Sequence, residues 1–350
     1  MFRKTKICCV LSLMTLFTSC SQSDSTVSVS QQGETESVLG VTDDCAIWIQ
    51  PTDRSLSLII GNDRRGEGGL YGWDLNGKVV FYYGPLVKPV NLDLRYGFKL
   101  GNETVDILVV GTHVDNTLHV FKVDPQTRAL EDITVPGGIQ THVQYQLYSL
   151  SLYQNIETKN VYAFVSQGKS QEALLQILLE DAGNGKVKGS IVRTFGEEYI
   201  QGIVKGMYVD DELDYLYCCD QRNAVLKFHA DPKLGNELVG RFATADGIEG
   251  DRDAIALYRC PDGKGYLLLS CHGHHQIKMY DREGDNPFIM TVHKKGEAPT
   301  DGIEVTSCEL DEYPHGFVIC HNPTEANFVL YNWDDIATDR LQKCTCSSGY

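Results

Sequence analysis

Two adjacent acidic residues, Asp43 and Asp44, precede a glycine-rich turn that carries the basic pair Arg64 and Arg65 in "GNDRRGEGGLYGWDLNGK". Carboxylate oxygens are the donors a hard divalent cation takes, and guanidinium groups grip phosphate through paired N–H bonds. A cation and a phosphate held side by side is the chemistry this segment suggests; the same residues also suit a solvated turn. Farther along, "IVKGMYVDDELDYLYCCDQ" sets a single lysine, Lys205, between Val204 and Gly206 at the head of a half-buried strand. The "HGHH" run from His272 to His275 lacks an acidic ligand pattern and reads as a loop rather than a transition-metal site, with His272 able to donate to a phosphate.

The elements that must position these groups are strands. A hydrophobic strand closing on an aspartate and a turn recurs as "LYGWDLNG", "HVFKVDPQ", "QILLEDAGNG", "LKFHADPK", "KMYDREGD" and "LYNWDDIA". The aspartates are Asp74, Asp124, Asp181, Asp231, Asp281 and Asp334, at intervals of 50, 57, 50, 50 and 53 residues. Six copies at a near-constant period mark a repeat architecture, and a period near fifty suits propeller blades. Between the markers lie short apolar stretches such as "VDILVVG", "VYAFV" and "GYLLLS" with Gly, Asn and Asp turns, and no long run of helical period. The expectation is an all-β, six-bladed β-propeller of four-stranded blades over residues 41–340, with chemistry at one mouth of the central channel.

The chain of 350 residues has ample material for a core, and its formal charge of −16 argues against nucleic acid or anionic membrane as direct partners. Phosphate chemistry on so acidic a surface calls for metal. At the N-terminus Arg3, Lys4 and Lys6 precede an apolar run from Ile7 to Phe17, and "LFTSC" has the form of a bacterial lipobox. Residues 1–20 are therefore expected to be a lipoprotein signal with Cys20 lipidated, residues 21–40 a flexible tether, and residues 341–350 a mobile tail. Membrane contact would come only through the lipid, on a cell-envelope protein facing the periplasm or the outside. Of 12 cysteines, removal of Cys8, Cys9 and Cys20 leaves nine, an odd number in a disulfide-permissive compartment. The hairpin "CELDEYPHGFVIC" predicts a Cys308–Cys320 bridge, Cys218 and Cys219 face opposite ways on one strand, and Cys344 and Cys346 supply too few ligands for zinc.

The chain resembles the β-propeller phytases, calcium-dependent enzymes that remove phosphate from inositol hexakisphosphate. The resemblance is carried by "DDCAIWIQP", "GLYGWDLNGK", "VNLDLRYGF", "KGMYVDDELDYLYCCD", "DRDAIALYRCPDGKGYLLLSCHG", "TDGIEV" and "EYPHGFVICHN", in order along nearly the whole chain after the tether. It implies six blades, several Ca2+ ions at the channel mouth, and an inositol phosphate or other phosphorylated small molecule as substrate. It also implies metal ligation by Asp43, Asp44, Asn91, Asp93, Asp220, Asp251, Asp253 and Asp301. Catalytic roles would fall to Asp220, Asp251, Asp253, Asp301 and Lys205, and phosphate contacts to Arg64, Arg65, Tyr148, Lys169, His113 and His272. Asp253 stands where the family has glutamate, with Glu249 as a competing match if residues are inserted.

Other positions depart from the family pattern. Cys45 replaces a proline, His113 an arginine that meets phosphate, Ser170 a carboxylate, Gln221 an acidic residue, His272 a glutamine, and Cys320–His321 a Gln-Asp pair. Lys205 takes the place of a glutamate that touches the catalytic metals, which raises the local charge by two units and implies fewer calcium ions. The resemblance therefore implies a phytase-like phosphomonoesterase in which Lys205 holds a substrate phosphate directly. The alternatives are an envelope-tethered propeller that has lost catalysis and binds a ligand or protein, and, less favoured by the motifs, a calcium-dependent lactonase-type propeller.

Overall fold

In a computed structural model the chain forms six antiparallel sheets arranged as the blades of a propeller; the structure describes residues 26–296 and 302–346. The innermost strands are Cys45–Trp48, Pro89–Leu100, Leu147–Gln154, Val204–Asp210, Asp251–Arg259 and Ile303–Thr306, and each packs beside the next until the last meets the first. The expected all-β, six-bladed architecture is what the chain adopts.

Hydrophobic patterning explains the arrangement. Six apolar clusters fill the spaces between successive blades, for example Leu92, Leu108 and Phe121 against Trp48, Leu58 and Leu70 between the first two. Each blade is covered on both faces, so its middle strands read as continuous apolar runs such as "YLLLS" rather than as alternation. The recurring aspartates have a local cause. Asp74, Asp124, Asp181, Asp231 and Asp281 each accept a backbone N–H two residues on, closing the turn from third to fourth strand. In the sixth blade Asn332 takes that role by capping the short helix Trp333–Ala337, and Asp334 lies in its first turn.

Within the segment expected as a tether over residues 21–40, the described residues form two strands, and residues 21–25 lie outside the described residues. Gly33–Glu34 pairs antiparallel with Asn327–Asn332 and supplies the outer strand that the sixth blade lacks, while Thr26–Val29 adds a parallel fifth strand beside Phe288–Lys294. The second blade also exceeds four strands, because Ile139–Gln140 edges Thr117–Val123. Joining the start of the chain to its last blade shields two sheet edges and closes the ring.

Residues 341–346, the described part of the tail expected to be mobile, are tied to the propeller, and the expected bridge is replaced. Cys344 is bonded to Cys260 and Cys346 to Cys308, closing loops of 84 and 38 residues. Cys320 is a buried thiol on the strand paired with Ile303–Thr306, so the Cys308–Cys320 hairpin bridge does not form. Hairpin geometry favoured the nearest partner in sequence, whereas the returning tail lies across Cys308. Cys218 and Cys219 point into different inter-blade clusters, as strand alternation requires.

Charged side chains also tie blades together. Arg282 of the fifth blade is fully buried and holds Asp210 of the fourth through Nε and Nη2, each at 2.6 Å, with a further bond to Glu212 at 2.6 Å. Inside the channel Arg95 of the second blade reaches Asp93 at 2.9 Å, Asp211 at 2.8 Å and the carbonyl of Leu152, joining three blades.

Candidate functional site

The inner strands of the second, third, fourth and fifth blades share an irregularity. Pairing to the next strand slips between Pro89 and Leu92, Leu147 and Leu150, Val204 and Met207, and Arg252 and Ile255. A bulge of this kind bends the strand and re-aims a side chain. Here it occurs near one mouth of the channel each time, and the side chains within or beside it are Asn91, Tyr148, Lys205 and Asp253. All four line one cleft of about 200 Å³, with Asp43 from just before the first inner strand and Gly302 from just before the sixth.

A second tier comes from the ends of the second strands, where Arg64, His113 and His272 line the same cleft. The inner set has one residue from each blade and recurs with the blade period, and the second set comes from the first, second and fifth blades.

Its electrostatics centre on Lys205. The Nζ lies 3.3 Å from Asp251 and 3.4 Å from Asp253, and the side chain is only 13% exposed. Burial alone would drive the proton off, but Asp253, Tyr148 and Asp251 outweigh it and raise the Lys205 pKa above that of an ordinary lysine. Asp253 also faces His272 Nδ1 at 3.0 Å. Asp251 is held below the usual carboxylate range: burial opposes this, and bonds from Gln221, Arg222 and Lys205 overcome it. Across the cleft Arg64 pairs with Asp43 at 2.7 Å. Burial raises the Tyr148 hydroxyl, so it remains a donor at neutral pH. Burial also lowers the His113 pKa; its Nδ1 bonds the Leu147 carbonyl at 2.9 Å, leaving Nε2 to serve the cleft as an acceptor when the ring is neutral.

Other residues expected at the site are placed elsewhere. Arg65 folds back onto the fully buried Asp63 at 2.8 Å. Lys169 sits at the second-strand position of the third blade but turns outward to Tyr145 and to Glu172 at 3.0 Å. Asp220 accepts the backbone N–H groups of Gln201 and Gly202 at 3.0 and 2.7 Å, and so shapes the loop leading to Lys205. Asp44 takes bonds from Asn91 Nδ2 at 2.9 Å and Leu92 N at 3.2 Å, and Asp93 from Ser151 Oγ at 3.0 Å and Leu152 N at 2.7 Å, so both brace neighbouring blades. Asp301 and Cys20 lie outside the described residues.

Sequence reasoning did not single out Glu304. It faces the channel, where protein surrounds it and burial pushes its carboxyl up to about 8, with Asp93 and Asp44 adding repulsion. Asp44 is pushed up to about 7, again chiefly by burial. Glu304 falls two residues after Gly302 on an inner strand, as Asp93 falls two after Asn91, a repeat-phase signal that would have found it. Asp44, Asn91, Asp93 and Glu304 offer the oxygen donors a hard cation takes. Among the described residues, however, no three His, Cys, Asp or Glu side chains are grouped to hold a metal.

The phytase family profile matches residues 4–345. The 3-phytase of Bacillus subtilis (strain 168) is 33% identical over 315 residues, covering 84% of this chain and 80% of that protein. Crystal structures of BBS1N in complex with ARL6DN, soaked with lead or with mercury, each give a TM-score of 0.49 at 10% identity. They cover 82% and 84% of this chain and 78% of the other, a likeness too slight to bear on function. By its full-length profile match and its identity to a known 3-phytase, the chain belongs to the β-propeller phytase family.

Proposed function

We propose that this protein is a phytase-like phosphomonoesterase that removes phosphate from inositol hexakisphosphate or a related phosphate ester. The observation that carries this reading is the convergence of Arg64, Lys205, Tyr148, His113 and His272 with Asp43 and Asp253 on one cleft. Arg64 and Lys205 bind phosphate oxygens as charged donors, and Tyr148 adds a neutral one. Asp253 and His272 form the acid–base couple that moves a proton during attack of water on phosphorus. Asp220 positions Lys205 through its loop, Asp251 keeps the ammonium charged, and Lys169 and Arg65 attract anionic substrate toward the mouth.

Calcium is the cation that family membership implies. The oxygen donors that fit it best are the buried carboxylates of Asp44 and Glu304, whose like charges call for neutralisation, whereas Asp43 is already paired with Arg64. When bound there it supplies positive charge toward a substrate phosphate. The residues do not fit it between Asp251 and Asp253, where Lys205 stands. Two disulfides suit an oxidising compartment and support the reading of residues 1–20 as an export signal, while lipidation of Cys20 rests on the "LFTSC" motif.

The test is phosphate release from inositol hexakisphosphate by the full chain in calcium and in chelator, for the parent and for Lys205→Glu. Release by the parent that falls with chelator is expected. A silent parent beside an active Lys205→Glu would overturn the reading and leave a binding module.

A further inference from the structure

We infer that Lys205 is a built-in substitute for a divalent ion: its ammonium offsets one of the two negative charges of the Asp251–Asp253 pair and offers an N–H donor to the substrate phosphate where a metal would otherwise stand. This deepens the proposed function, because it concerns how that same cleft binds phosphate, but its physical content does not depend on turnover.

Three features carry it. The first is geometry: Nζ lies 3.3 and 3.4 Å from one carboxylate oxygen on each aspartate. A divalent ion bridging the same two carboxylates would have to lie within about 4 Å of a fixed like charge, which repels it. The second is placement. The fourth and fifth inner strands approach so closely that a Cβ on Gly206 would sit 2.3 Å from the Asp253 carbonyl oxygen and 2.7 Å from the Ala254 Cα. Ser166 Oγ grips the Val204 carbonyl at 2.8 Å from the third blade, so the bulge bearing Lys205 is held on both sides. The backbone that carries Lys205 is therefore fixed beside the two acids. The third is the surrounding set of donors. Gln221 Nε2 shares Asp251 Oδ2 with Lys205 at 3.1 Å, Arg222 Nε takes Oδ1 at 3.2 Å, and His272 faces Asp253. The acids are already surrounded by protein N–H groups, the environment of an ion pair rather than of a metal ligand set.

A permanent ammonium differs from a divalent ion in being insensitive to chelation. Phosphate binding at the cleft should therefore retain a component independent of metal, carried by Lys205 and Arg64.

Two measurements on the purified full chain test this. Equilibrium dialysis with radioactive calcium counts bound ions in the parent, in Lys205→Glu and in Lys205→Met. The expected result is one additional ion per chain in Lys205→Glu, with Lys205→Met gaining a weaker one; equal stoichiometry in the parent and Lys205→Glu overturns the inference. Calorimetric titration with inorganic phosphate in excess chelator is expected to show binding by the parent that weakens about tenfold or more in Lys205→Met. Unchanged affinity in Lys205→Met also overturns it. A loss of fold in Lys205→Glu is detected by circular dichroism, and Lys205→Met, which keeps the side-chain length without adding a charge, then decides the matter. Failure of the parent to hydrolyse any phosphate ester would refute the proposed function and leave both of these outcomes readable.

Discussion

The strand that carries Lys205 is anchored at its other end by Arg282, and Arg282→Met should show how strongly. Arg282 and Asp210 have no exposed side-chain surface, and Arg282 donates to both Asp210 oxygens, to Glu212 and to the carbonyls of Gly263 and Lys264. Truncation leaves Asp210 with only the N–H groups of Glu212 and Leu213 at 3.2 and 3.3 Å. Breaking a buried pair by removing one partner costs about 3–5 kcal/mol. With an unfolding entropy near 2.1 cal/mol/K per residue over roughly 300 ordered residues, about 4 kcal/mol lowers Tm by about 6 °C. Scanning calorimetry reads the shift, and Asp210→Leu in the same background closes a double-mutant cycle. The double variant should recover much of the loss, because Glu212 is half-exposed and can turn to water. Because Val204–Asp210 spans from the mouth to this clamp, Arg282→Met should also lower kcat/KM for phosphate ester. A Tm drop under about 1 °C, or a double variant as unstable as the summed single variants, would refute the reasoning.

Gly206→Ala should destabilise by about 1–3 kcal/mol in chemical denaturation, since its Cβ meets backbone, whereas Gly240→Ala, with nothing within 4 Å, should be nearly neutral. Cys344→Ser, which opens an 84-residue loop, should cost roughly 4 kcal/mol and make the C-terminal segment sensitive to limited proteolysis. Asp334 is held below the usual carboxylate range despite burial, by bonds from His315 and Lys343. The folded state then binds fewer protons than the unfolded state, so this stabilisation is present above about pH 4 and is lost as pH falls through the lowered pKa. Asp334→Asn should therefore be less stable than the parent at pH 6, with the gap closing below about pH 3. Arg64→Ala should reduce kcat/KM about tenfold or more, mainly through KM, in the phosphate-release assay.

Much of the architecture was legible because each blade closes its outer turn with a side chain that caps its own backbone. Those aspartates leave a periodic mark that needs no tertiary contact to be seen. The ends of the chain were misjudged for the opposite reason. Residues 26–40 are mostly polar, the alternation of Thr26–Ser30 is only five residues long, and the strands exist because the fifth and sixth blades offer unpaired edges. The cysteines near the C-terminus look unanchored until the tail returns across Cys260 and Cys308.

The cleft shows the same division. Its residue types were readable, and so was the anomaly of a lysine among carboxylates. Asp43, Asn91, Tyr148, Lys205 and Asp253 are 48, 57, 57 and 48 residues apart, and nothing local distinguishes them from Lys169 or Asp220, which the fold turns away. What the sequence by itself determined is the repeating strand-and-turn unit, because hydrophobic patterning and turn capping act over a few residues. Only the tertiary structure decided which side chains meet, because ring closure stacks the same bulge from successive blades around one channel. It also decided that Lys205 pairs with both Asp251 and Asp253, since that contact depends on how closely the fourth blade can approach the fifth at Gly206.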